Sequence, residues 1–151
     1  ELITYGISYP SYALTIWLIY SDLNTSGIAL ALAFSFLGIS GVLLKDLKDI
    51  SGDRTTGLKT LGVIFAPSKL LYISCIFLIL YYLVILDSIA LKVFSIGMLL
   101  VIIPFIWFIK NTFYHFHRKS WKLEFGDFKP IKTMVTSTYL SLIVLGISTF
   151  I

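Results

Sequence analysis

Residues 28–61 read IALALAFSFLGISGVLLKDLKDISGDRTTGLKTL, an apolar run that ends abruptly in a knot of mixed charge. No charged side chain occurs from 28 to 44, and that half is rich in small residues: Ala29, Ala31, Ala33, Gly38, Ser40 and Gly41. Small residues let helix backbones approach closely in lipid, so this run is expected inside a helix bundle. Residues 45–61 then carry three of the eight acidic residues, Asp46, Asp49 and Asp53, interleaved with Lys45, Lys48, Arg54 and Lys59. In a membrane chain, ionisable groups at the end of an apolar helix mark a functional site.

The rest of the chain decides that this is a membrane chain. Hydrophobic residues make up 58% of the 151 residues and charged ones 13%, against roughly 25% charged in soluble domains. A soluble domain of this length cannot bury so much apolar surface. About 20 apolar residues span a bilayer as a helix, and five such segments are visible: residues 2–21, 28–44, 70–86, 93–109 and 133–151. The expectation is an all-α integral membrane protein with five transmembrane helices in one domain, 1–151. Pro67 is placed to start the third helix, because its missing N–H has no partner to lose there. Pro10 is expected to kink or start the first helix and Pro104 to kink the fourth, with a tight turn at Asp87 and Ser88. The chain opens on Glu1 without a charged region and cleavage site, which is not a signal-peptide pattern; it looks like a chain beginning within a longer protein. The single cysteine, Cys75, sits in an apolar run, where free cysteine behaves as a small buried hydrophobe.

Charge gives the topology. Eleven of the twelve Lys and Arg residues fall in two stretches, 45–69 and 110–132. Two helices separate them, so both lie on one face of the membrane. The breaks at Asp22 and Asp87 lie on the other face, with Lys92 their one cation. Positive charge marks the cytoplasmic side, so both charged loops are expected there. The net charge of +4 therefore reports topology, and no nucleic-acid partner is expected. In the second loop His115 and His117 alternate with aromatic and basic residues, followed by Trp121, Phe125 and Phe128. Spacing of i, i+2 turns two histidines to different helix faces, and the composition suits the headgroup layer. An interfacial segment is expected.

If residues 43–53 continue the second helix, Asp46, Asp49 and Asp53 fall within roughly a 60° arc at about 100° per residue. Three carboxylates on one face repel one another unless a divalent cation sits among them. Oxygen ligands select Mg²⁺ or Ca²⁺, and Mg²⁺ is commonly shared between one or two carboxylates and substrate phosphates. Arg forks and Lys point charges match phosphate oxygens. Gly52 and Gly57 permit a sharp turn that folds the chain back over the helix end, and Thr55, Thr56 and Thr60 add hydroxyls. These residues describe a metal–diphosphate site at the mouth of an apolar bundle.

The pattern Lys45-Asp46-x-x-Asp49-x-x-Gly52-Asp53-x-x-x-Gly57-x-x-Thr60-Leu61 resembles the second aspartate-rich motif of the UbiA superfamily of intramembrane prenyltransferases. In that family the motif follows the sixth of nine transmembrane helices, so the five segments here resemble helices five to nine. The resemblance implies Mg²⁺-dependent transfer of an isoprenyl group from an isoprenyl diphosphate to an acceptor, an aromatic ring or a lipid hydroxyl. Carried over by motif position, Asp49 and Asp53 are the metal ligands and catalytic carboxylates, with Asp46 a third or supporting carboxylate. Lys45, Arg54 and Lys59 are implied diphosphate contacts. The first aspartate-rich motif, Asn-Asp-x-x-Asp-x-x-x-Asp, is not in these residues. The sequence thus resembles the C-terminal half of such an enzyme, inactive by itself, with the other half supplied by the same or a complementary chain.

Two other classes compete with the enzyme. One is a small channel or transporter subunit gated by the knot, which requires facing ionisable groups in mid-bundle; the third to fifth segments offer only tyrosines and Cys75. The other is an assembly partner that kept the motif without the chemistry. The acceptor is open, and the form Gly-Asp-Arg-x-x-Gly-x-x-Thr-Leu leans to the lipid and chlorophyll-type branches of the superfamily.

Overall fold

The computed structural model describes residues 2–117 and 129–148, and every regular element among them is helical. In chain order these are α1 (Leu2–Tyr20), α2 (Thr25–Thr56), the single turn α3 (Leu61–Ile64), α4 (Pro67–Ala90), a 3₁₀ segment (Ile96–Val101) that runs into α5 (Ile102–His117), and α6 (Lys129–Ser148). α2 is the axis of the fold. It packs along α1 on one side and along α4 on the other, while α6 packs on α5 and the 3₁₀ segment. The core joins Leu43, Leu47, Leu71, Leu78, Tyr82 and Phe108, drawn from α2, α4 and α5.

Among the described residues, three helices are long and apolar enough to cross a membrane: Thr25–Ile50, Pro67–Ala90 and Pro130–Ser148. Five segments were expected, and the two that fall short have physical reasons. α1 has no charge, but four tyrosines and several hydroxyl residues dilute its apolar character. The fourth segment is a shorter apolar helix, Ile96–Thr112, wound first as 3₁₀ and then as α. Pro104 stands third in α5, just past the point where the 3₁₀ segment passes into α-helix.

Two further boundaries differ from expectation. Asp87 and Ser88 do not turn the chain; α4 continues to Ala90. Ser88 Oγ donates back to Val84 O at 2.7 Å, which keeps its hydroxyl on the helix. The chain turns one step later, at Lys92 with φ 59°, where Val93 N donates to Ser88 O at 2.8 Å. Pro10 neither starts nor ends α1 but lies within it. A proline there leaves the carbonyl four residues back, Gly6 O, without its helical donor. Ser35 of α2 supplies one, its Oγ donating to Gly6 O at 2.8 Å.

The helices are also tied by short polar contacts at small residues. Ser40 and Ser74 are both buried, their hydroxyls 2.9 Å apart, and each also reaches the other's carbonyl, clamping α2 to α4. Tyr82 OH donates to Ser137 O at 3.0 Å and Tyr81 OH lies 3.0 Å from Ser141 Oγ, fastening α4 to α6. Buried hydroxyls are costly unless bonded, so these pairs fix which helix faces meet. Tyr9 packs against Gly38, where a Cβ would stand 2.6 Å from its Cγ. Pro67 opens α4 as expected, and Cys75 is buried beside Met134, with the sulfurs 3.5 Å apart.

Candidate functional site

The charged knot is helix, not loop, for most of its length. α2 continues through Lys45, Asp46, Asp49 and Asp53 and stops at Thr56. Gly52 takes no part in the turn; it is helical and open to solvent. The reversal is made by Gly57 alone, at φ 72°. Its N–H points to Arg54 O, and Leu58 N donates to Asp53 O at 2.9 Å. This paired closure satisfies orphan carbonyls at the helix end and favours glycine, which meets no Cβ clash there.

From Gly57 the chain runs back along the carboxylate face of α2. Thr60 Oγ1 donates to Asp53 Oδ2 at 2.7 Å, a charge-assisted bond that orients the carboxylate. Two residues later Gly62, in α3, lies against α2 so closely that a Cβ would stand 2.5 Å from Asp46 O and 2.9 Å from Ile50 Cγ1. The return segment thus crosses Asp53, then Ile50 and Asp46, in reverse order. Asp46 is buried beneath it at 1% exposure, while Asp49 and Asp53 are half-buried. Thr55 and Thr56 do not join the site. Their hydroxyls bond back to Gly52 O at 2.7 and 3.1 Å.

Lys45, Arg54 and Lys59, expected to contact diphosphate, are all exposed around this face. At about 100° per residue, Lys45 and Arg54 flank the carboxylate arc on opposite sides. Lys69 was not singled out in the sequence; its Nζ lies 5.2 Å from the Phe65 ring centroid, a cation–π contact beside α3. Gly62 was missed as well, since nothing in the sequence marks a close approach that exists only after the chain folds back. His115 and His117 fall at the end of α5; their side chains, and residues 118–128 with Trp121, Phe125 and Phe128, lie outside the described residues.

Among the described residues, no three carboxylates, histidines or cysteines converge closely enough to hold a metal ion by themselves. The donor set still fits Mg²⁺ bound the shared way. Asp49 and Asp53 present hard oxygens on one helix face, neither fully buried, and one or two carboxylates suffice when phosphates complete the shell.

An apolar groove of about 420 Å³ lies beside α3, between α1, α2 and α4, with Leu43, Leu61 and Phe65 among its lining. On α2 it is lined by Ser35, Ile39 and Leu43. Counting in steps of three and four, the same stripe carries on through Asp46, Ile50 and Asp53.

No family model matches the chain, and no solved structure matches it. It is similar to an uncharacterized protein of Archaeoglobus fulgidus, 36% identical over 146 residues, which cover 95% of this chain and 49% of the relative. The chain spans about half the length of that curated relative.

Proposed function

We propose that this chain is the diphosphate-binding half of an intramembrane prenyltransferase of the UbiA type, transferring an isoprenyl group from its diphosphate to an acceptor with Mg²⁺. The observation that carries this reading is the return of residues 57–64 over the carboxylate face. It joins Asp46, Asp53, Gly57, Thr60 and Leu61, the spaced residues of the motif, into one local structure. A solvated surface loop has no need of a glycine packed so closely that a Cβ would stand 2.5 Å from a helix carbonyl, or of a threonine locking one aspartate.

In this account the site lies at the cytoplasmic end of a multi-pass bundle. Exposed apolar side chains such as Ile7, Ile16, Ile103 and Ile143 clothe the helices between the charged end and the opposite one, which suits lipid contact. Asp49 and Asp53 hold the metal, Thr60 fixes Asp53, and Asp46 supports them from beneath α3. Lys45, Arg54 and Lys59 meet the diphosphate oxygens. Mg²⁺, when bound, supplies the positive charge that stabilises diphosphate as it departs. The chain's own part is to position that leaving group at the edge of an apolar space that keeps water from the developing allylic cation. The first aspartate-rich motif comes from outside these 151 residues, and the acceptor is chosen there.

The test is diphosphate release from geranylgeranyl diphosphate by the complete protein. Asp49→Ala and Asp53→Ala are each expected to abolish the Mg²⁺-dependent reaction; wild-type rates in either variant would sink the assignment.

A further inference from the structure

One lysine of the charged stretch has no part in the site proposed above. Lys48 lies on α2 with Gly41, Lys45 and Gly52, at positions i, i+4, i+7 and i+11. That spacing puts all four within roughly a 60° arc, centred roughly 100° around the helix from Asp46, Asp49 and Asp53. All four are exposed. A Cβ at Gly41 or Gly52 would meet nothing within 4 Å, whereas Gly27 and Gly38 of the same helix are packed against Trp17 and Tyr9. Among the described residues neither Lys45 nor Lys48 has an ion-pair partner. The face is a bare strip of backbone carrying two unneutralised cations.

Length sets its depth. From Thr25 to Leu44 α2 holds no charged side chain and runs for about 30 Å, the thickness of a hydrocarbon core. Lys45 and Lys48 occupy the next turn, within about 6 Å of the edge of that core, in the layer of the lipid headgroups. Gly41 lies one turn below them, just inside the edge, and Gly52 one turn above, toward water. Ammonium groups match phosphate oxygens as point charges, and basic clusters at this depth attract anionic lipids. A helix with no side chain at Gly41 leaves room beneath the lysines for the glycerol that follows a lipid phosphate. A docked protein helix suits the face less well. It would use the small residues but would take both ammonium groups out of water, which is costly without paired carboxylates.

We propose that this face binds the headgroup phosphate of an anionic membrane lipid, with Lys48 as the principal contact and Gly41 as the notch for the glycerol. Lys45, on the edge toward Asp49, serves both this face and the diphosphate side. The inference rests on the membrane placement proposed above and not on the prenyl transfer. A lipid held here fixes the depth of α2, so that the carboxylates at its end stay at the membrane surface.

The experiment places the complete protein in phosphatidylcholine nanodiscs with a minor share of one of two probes, phosphatidylglycerol or phosphatidylcholine, each carrying a diazirine at the head of an acyl chain. Photo-crosslinks are mapped by mass spectrometry. The phosphatidylglycerol probe is expected to label residues 41–48 in several-fold excess over the other. Lys48→Ala should cut that preference by about fivefold, the worth of one basic residue near an anionic surface, and Lys48→Arg should keep it. Gly41→Leu should move the label off this turn with both charges in place. Equal labelling by the two lipids, or a preference untouched by Lys48→Ala, overturns the proposal. So does displacement of the label by inorganic phosphate but not by chloride at equal ionic strength, which would assign the face to a free anion. A Lys48 crosslink to another protein segment without lipid labelling would give the face to a protein and overturn it too. Diphosphate release from geranylgeranyl diphosphate is read on the same samples. Lipid labelling without release removes the prenyl transfer and leaves this site; release without lipid preference removes this site alone. Labelling of the unsubstituted chain decides the matter even if Gly41→Leu fails to fold.

Discussion

Gly62 and Thr60 hold the return segment against α2 in different ways, and their substitutions should fail differently. A methyl on Gly62 meets a backbone carbonyl at 2.5 Å, which cannot rotate away, so Gly62→Ala must lift α3 from Asp46. Overpacking of this kind costs about 1–3 kcal/mol. The expected readout is faster hydrogen exchange across 58–65 with the remaining helices unchanged. Thr60→Ala removes one bond to a carboxylate, about 1.5 kcal/mol, and should weaken Mg²⁺-dependent diphosphate binding by roughly tenfold. Thr60→Ser keeps the hydroxyl and should retain most of the affinity; a Ser variant as weak as Ala would mean that the Asp53 contact does not matter. Asp46, Asp49 and Asp53 were legible as one face because helical periodicity is a local property. The separate fate of Asp46, buried under a glycine sixteen positions along, was not legible, because burial is set by a neighbour that arrives only when the chain folds back.

At the scale of elements, the pairing of α1 with α2 turns on one carbonyl. Pro10 deprives Gly6 O of its helical donor and Ser35 replaces it at 2.8 Å. Ser35→Ala is expected to destabilise the α1–α2 pair by about 1 kcal/mol, the net worth of one hydrogen bond to a part-buried acceptor. Adding Pro10→Ala restores an N–H four residues on, so the double variant should recover most of the loss. A steric-trapping or denaturant cycle that finds the two changes additive would contradict this account. Ser40→Ala with Ser74→Ala should loosen α2 from α4 more gently, by roughly 0.6 kcal/mol per interhelical bond. The elements themselves were largely readable. The apolar run 28–44 became the core of α2, and Pro67 opened α4 as its position required. The misplaced turn at Asp87 and Ser88 shows the limit: polarity alone does not stop a helix when one side chain is exposed and the other bonds back onto the turn before it.

For the whole molecule, the proposed topology puts the two cation-rich stretches on one side of the membrane. Cysteines placed at Lys59 and Lys110, with Cys75→Ser as background, should react with an impermeant thiol reagent from the cytoplasmic side. A cysteine at Asp22 should react only from the other. Labelling of Lys59 and Lys110 positions from opposite sides would undo the topology, and with it the placing of the site. Among the described residues three helices are long and apolar enough to cross, where five segments were expected, and the difference lies in α1 and the 3₁₀-to-α segment. Tyrosine-rich α1 and the 3₁₀-to-α segment gain their place from neighbours rather than from their own composition. The central claim is that carboxylates at the end of α2 bind isoprenyl diphosphate through a shared Mg²⁺. Its most direct test is equilibrium binding of labelled geranylgeranyl diphosphate to the complete protein, in Mg²⁺ and then in chelator. The account predicts that chelator abolishes binding and that Asp53→Ala behaves as the chelated wild type does; binding indifferent to chelator would contradict it.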